Sequence, residues 1–372
     1  MPDTQFTLTQ SEKVAWSKEA IKAYREKLFF KPFIGNSTES IIQQFTELDS
    51  NSVTGGTIRM GLVDDLGGTG KGGDSDIEDA SEAMTSSELD ILIDTLSHST
   101  MSHGRLEDKR AHFNFREQAK DKLGRWMAKA IDELMFNTLY GTSYALKLDG
   151  SARVVPANQD AWTTQRYAAD VSAATAGRHF NWTGTALVAG DTTTVTTAYT
   201  ASYKMLLKVK AKAHLSGIKP LIIGGKEFYA IIMHPDAFTA LKLDADFRAN
   251  LINGLPRSGE NPIFTGADEV TMDGLIIYTH RNALNTTGVA SGSKWGVGGL
   301  VEGSSCLVLG VQALGYANIY GKMKWDEKLF NFDRKTGIAV SMMFGMRKTK
   351  FKSEYNGNAV EDFGALRVNI AI

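Results

Sequence analysis

The sequence predicts an α+β fold, and three observations carry that prediction. One helix is unusually long, reading from Gly104 to Tyr140 with no Pro and one internal Gly, Gly124. At ~1.5 Å per residue it would span roughly 55 Å, beyond the usual globular helix. In front of it come a strand, a Gly-rich tip and a second strand. After it, helices and antiparallel strands follow in blocks without regular βαβ alternation.

The elements follow in order. Residues 1–8 read as loose. Thr9 or Ser11 can cap a helix running to about Phe30, with Trp16, Ala20, Tyr24 and Leu28 as one apolar stripe. Pro32 stops it. "SIIQQFTEL" and "GTIRMGLV" within 40–63 read as extended. "DDLGGTGKGGDSDIEDASEAM" is acidic and has almost nothing to bury, so it reads as a mobile tip. The return strand carries Leu89, Ile91, Ile93 and, less regularly, Leu96. A free two-stranded arm of this kind is marginal alone, so a neighbouring subunit is its expected partner.

Along the long helix, Phe115, Ala119, Leu123, Trp126, Met127, Ala130, Ile131, Leu134 and Met135 follow the helical period and are expected in the core. Arg116, Lys120, Asp121, Arg125, Lys129 and Asp132 fall on the opposite, polar face. Asp121–Arg125 and Lys129–Glu133 have ion-pair spacing. Gly141 suits the C-cap. Residues 142–198 read as irregular with short strands. A basic helix is expected over 200–215. "KPLIIGGKEFYAIIMHPDAFTALKLD" reads as strand, Gly-Gly turn, strand and a helix opening at His234–Pro235–Asp236. Short Gly-rich strands follow over 270–315. Three strand candidates close the chain: "YANIYGKMKWDEKLFNFD", "GIAVSMMFGMRKTKF" and "FGALRVNIAI", with Lys335–Thr336–Gly337 as the turn between the first two.

Composition narrows the function. A net charge of −1 over 372 residues carries no signature of a dedicated nucleic-acid binder. The single cysteine, Cys306, permits no intrachain disulfide. The N-terminal residues lack the apolar core of a signal peptide, and no apolar run reaches membrane-spanning length.

No catalytic constellation emerges. "GGTGKGG" at 67–73 suggests a phosphate loop, but Asp65 stands where the first Gly belongs and Gly72 where the Ser/Thr belongs. The seven histidines lack metal-ligand spacing. The acidic residues over 74–82 lack the order of a calcium loop. Cys306 sits in a predicted strand with no base identified beside it, the pattern of a buried inert thiol. Lys204, Lys208, Lys210 and Lys212 could touch a phosphate backbone, though a solvated helix face explains them better. No enzyme activity, metal or cofactor is expected.

The order of elements resembles the major capsid proteins of tailed bacteriophages, the HK97-type fold, and most closely the N4-like phage subgroup. The resemblance rests on "AWSKEAIKAYREKLFFKPFIG" as the N-terminal helix, the stretch from "EDASEAMTSSELDILIDTLSHSTMSHG" into the long helix as arm-return strand and spine, "FYAIIMHPDAFTALKLD", and "DFGALRVNIAI" as closing strand. It implies an N-terminal arm (1–40), an extended loop (41–100), a peripheral domain with the spine helix (101–215 and 319–372) and an axial domain (216–318). It also implies hexamers and pentamers closing into an icosahedral shell around double-stranded DNA, touched weakly and without sequence preference. Separate scaffolding and portal proteins, assembly in the host bacterial cytoplasm and no membrane partner are expected with it.

The inter-subunit tip would then be Asp65, Gly67, Gly68, Lys71, Gly72 and Asp74, and the spine packing Leu123, Trp126, Met127, Ile131 and Leu134. An encapsulin-type nanocompartment shell shares these features and is the alternative. An enzyme with an unrecognised site is the remaining one.

Overall fold

The computed structural model describes residues 28–46, 56–63, 69–73, 77–78, 81, 86–104, 115–254, 269–319, 323–332, 334–353 and 359–372. The expected N-terminal helix lies outside them except for Leu28, Phe29 and Phe30, which are not helical, and residues 105–114 of the expected long helix also lie outside them.

The strands in chain order are β1 (Ile34–Gly35), β2 (Ile42–Phe45), β3 (Thr57–Val63), β4 (Ser86–Leu92), β5 (Asp94–Met101), β6 (His179–Trp182), β7 (Leu187–Ala189), β8 (Leu221–Ile223) and β9 (Lys226–Met233). They continue with β10 (Glu269–Met272), β11 (Leu275–Thr279), β12 (Gly303–Leu309), β13 (Leu314–Asn318), β14 (Lys324–Phe330), β15 (Lys335–Lys348), β16 (Lys350–Ser353), β17 (Ala359–Asp362) and β18 (Ala365–Ala371). The α-helices are α1 (Phe115–Tyr140), α2 (Tyr203–Leu215), α3 (Pro235–Leu243) and α4 (Ala245–Gly254).

Two sheets organise the chain. A six-stranded sheet runs β1-β2-β13-β15-β14, with β5 also paired to β15. An eight-stranded sheet runs β10-β11-β9-β12-β18-β6-β7, with β8 on β9. β18 lies antiparallel to β12 and parallel to β6, so the closing strand sits inside this sheet. The sheet joins strands from within 101–215, 216–318 and 319–372.

Helix α1 buries its stripe against the first sheet, in a core containing Leu123, Met127, Ile131, Leu134, Trp325, Val340 and Phe344. Helices α2 and α3 cover the second sheet through Met205, Val209, Phe238 and Leu241.

Local chemistry explains the helix starts. Ser202 caps α2, its Oγ accepting the N–H of Met205. His234 caps α3, its Nδ1 accepting the N–H of Asp236, with Pro235 at the first helical position. Gly141, at φ +69°, ends α1 in the left-handed region. A Cβ there would stand 2.3 Å from the Ser172 carbonyl oxygen, so the site also excludes a side chain.

The structure corrects several readings. "YANIYGKMKWDEKLFNFD" is two strands, β13 and β14, in place of one. The chain turns before β15 where the Asn331 carbonyl accepts the Arg334 N–H, and Lys335, Thr336 and Gly337 already pair with Phe330, Leu329 and Lys328. Gly337 misled because it serves packing: a Cβ there would stand 2.6 Å from the Phe330 ring. The hairpin of β3 and β4 does not wait for a neighbour to cover it. Ile58 and Ile91 pack with Ala317 and Ile319, and Met60 and Leu89 with Phe351, all in the same chain. Asp132 leaves the polar face, as described next.

Candidate inter-subunit surfaces

Helix α1 changes character along its length. Gln118, Lys122, Arg125 and Lys129 form an exposed stripe in its first part. From Ala130 to Tyr140 every residue except Glu133 is buried, which is the signature of a helix enclosed on all sides. Leu123, Met127, Ile131 and Leu134 lie in the core. Trp126 sits at its rim, half-buried, with its ring stacked on His98 of β5 at 4.2 Å.

Asp132 falls in the enclosed part. Its carboxylate accepts the backbone N–H of Phe29 at 2.9 Å and of Phe30 at 3.3 Å. Burial pushes its pKa up to about 7, and the two backbone hydrogen bonds oppose that rise. The expected Lys129–Glu133 pair gives way to Arg153–Glu133 at 2.8 Å, where the Arg153 guanidinium also lies over Trp162. Asp121–Arg125 forms as spaced, at 2.9 Å. Arg116 reaches Glu327 of β14 at 2.6 Å and ties the helix to the sheet.

The hairpin is tied down at its base. The Leu92 N–H donates to Asp170, and the Arg347 guanidinium donates to the Asp90 carbonyl. Arg59 bridges Glu88 and Asp90 across the two strands. Of the tip residues, Lys71 and Gly72 are exposed, as is Ile77 beyond them. Asp65, Gly67, Gly68 and Asp74 lie outside the described residues.

The remaining chemistry is structural. Cys306 is fully buried in β12, and burial pushes its thiol pKa up to about 12, so it stays protonated and unreactive. His280 packs against both Phe29, at 4.3 Å, and Phe136, at 5.1 Å, and burial lowers its pKa to about 4. Lys348 pairs with Asp362 at 2.9 Å in a buried ion pair. Sequence patterning misses Asp132 and this pair because their partners lie far along the chain or in another element. No cluster of metal-binding side chains occurs among the described residues, and no helix there is long and apolar enough to cross a membrane.

Comparison with known proteins decides what these surfaces belong to. A family model described as phage capsid protein matches residues 6–372. The chain belongs to the phage capsid protein family. The major capsid protein of Pseudomonas phage KPP25 is 38% identical to this capsid protein over 368 residues, covering 98% of this chain and 96% of the relative. The capsid of Ralstonia phage GP4 superposes with a TM-score of 0.75 at 23% identity, covering 93% and 91% of the two chains. The capsid of cyanophage Pam1 gives 0.71 at 17% identity over 99% of each.

The fold of this capsid protein is therefore the HK97 type, with α1 as its spine helix and the β3–β4 hairpin at the base of its extended loop. It is a structural subunit that self-assembles into the capsid of a phage virion. The encapsulin reading is not favoured, since the relatives are phage capsids.

Proposed function

We propose that this capsid protein forms hexamers and pentamers that close into an icosahedral shell around double-stranded DNA, with no catalytic step of its own. The family match over 6–372 carries the reading. Its physical support is the hairpin: a base packed on its own subunit and exposed residues beyond it. A projecting element on a firm base makes heterologous contacts, in which one surface meets a different surface of the next copy and closes a ring.

On this reading the tip at Asp65, Gly67, Gly68, Lys71, Gly72 and Asp74 contacts a neighbour, and the arm, loop, peripheral and axial segments divide as the sequence suggests. Separate scaffolding and portal proteins complete the shell, DNA contact is weak and non-specific, and assembly takes place in the host cytoplasm. Negative-stain electron microscopy of the expressed protein tests it, together with nuclease digestion of particles made during infection. Closed shells protecting double-stranded DNA are the expected result. A 40.6 kDa monomer that never assembles would sink the reading.

A further inference from the structure

In sequence, the polar face of the spine helix is balanced: Lys122, Arg125 and Lys129 stand among Asp121, Asp132 and Glu133. The fold removes two of those carboxylates. Asp132 turns inward to the backbone N–H groups of Phe29 and Phe30. Glu133 is taken by Arg153. Asp121 remains, held by the Nε of Arg125, whose terminal nitrogens have no acceptor among the described residues, and Glu117 stays exposed one turn earlier. Lys122 and Lys129 are exposed and make no ion pair among the described residues. The exposed stripe is thus left net positive by folding.

Its dimensions have a meaning. Lys122 and Lys129 are seven helical rises apart, or ~10.5 Å along the helix, with Arg125 between them. Phosphates of one DNA strand recur every ~3.4 Å of helix axis. Three cations over that length lie within about three phosphate-to-phosphate steps, and long lysine side chains fit a polyanion read without sequence preference. We infer that Lys122, Arg125 and Lys129 form a docking stripe for the phosphate backbone of enclosed double-stranded DNA. The inference rests on the reading that the shell encloses DNA. It adds where on the subunit that DNA is touched.

The test titrates the unassembled full chain with a short mixed-sequence duplex between about 50 and 200 mM salt. Neutralising the stripe with Lys122→Gln, Arg125→Gln and Lys129→Gln together should make the plot of log affinity against log salt shallower by about one per side chain. The charge-keeping pair Lys122→Arg and Lys129→Arg should retain the wild-type slope. Circular dichroism checks the fold. If the triple variant misfolds, Lys122→Gln with Lys129→Gln replaces it and should lose about two from the slope.

An unchanged slope overturns the stripe. So does loss of polyglutamate binding with duplex binding intact, which would assign the stripe to an acidic protein. Nuclease digestion of wild-type particles separates the two claims. Protected DNA with an unchanged slope overturns the stripe alone, whereas particles without protected DNA overturn the enclosing-shell reading.

Discussion

The carboxylate of Asp132 holds the backbone N–H of Phe29 at 2.9 Å, joining the chain before β1 to the middle of the spine helix, 103 residues away. Replacing Asp132 with Ala would strand two backbone donors. Left without an acceptor, each buried donor costs about 1–3 kcal/mol. Urea denaturation of Asp132→Ala should show a loss of about 2–6 kcal/mol, the sum for both donors.

The same residue sets a pH dependence. Burial raises the pKa of Asp132 to about 7 in the folded chain, while the unfolded chain keeps the ordinary value near 4. The folded state therefore binds the extra proton between those values. The contribution is fully present below pH ~4 and is lost as pH rises through about 7. Asp132→Asn should flatten this part of the profile, because the amide oxygen still accepts hydrogen bonds without ionising. Melting temperatures of both proteins across pH 4 to 8 check it, and parallel profiles would remove Asp132 as the cause.

Trp126 and Ile131 separate rim from core. Ile131 is fully buried, so Ile131→Ala should cost about 2–5 kcal/mol. Trp126 is half-buried on His98, so Trp126→Ala should fall below the ~3–5 kcal/mol of an enclosed aromatic. Denaturation midpoints compare the two directly, and the reverse order would contradict the rim position.

Deleting residues 66–80 should leave a folded subunit, because the hairpin's packing on Ala317, Ile319 and Phe351 lies outside the deletion. Assembly should fail. Circular dichroism together with particle counts by electron microscopy gives both halves of the result, and a normal yield of closed shells would exclude the tip from subunit contacts.

Shells should survive chelation and nucleotide removal but respond to salt, since exposed charge pairs are screened at ~8–10 Å under ordinary ionic strength. Light scattering over a salt series, with and without chelator, measures this. Dissolution by chelator at constant salt would point to a metal site, with Asp74, Asp76, Glu78 and Asp79 as the first residues to replace.

What was legible in the sequence was local. The His234–Pro235–Asp236 helix start, the Gly141 stop and the alternation of Leu89 and Ile91 all follow from rules acting within a few residues. The failures came from distance. Asp132 looked like a surface charge because Phe29 and Phe30 are invisible to helical periodicity, although the unbroken apolar character around Leu134, Met135 and Phe136 hinted that this stretch has no wet face. Gly337 looked like a turn because glycine serves tight packing as readily as tight bending. The candidate tip was legible as composition only, since few groups there could fix a geometry.

The place of β18 bears on the order of events during synthesis. Its residues 365–371 fill the gap between β12 and β6, pairing with 303–309 on one side. It is also the last strand of that sheet to leave the ribosome. A nascent or prematurely terminated chain therefore carries a split sheet, with two open strand edges and the apolar faces of Leu366, Val368 and Ile370 missing from its core. The rigid subunit therefore waits for β18 to emerge and pair on both sides. A fragment that stops short of β18 lacks the one strand that joins β12 to β6 in this sheet.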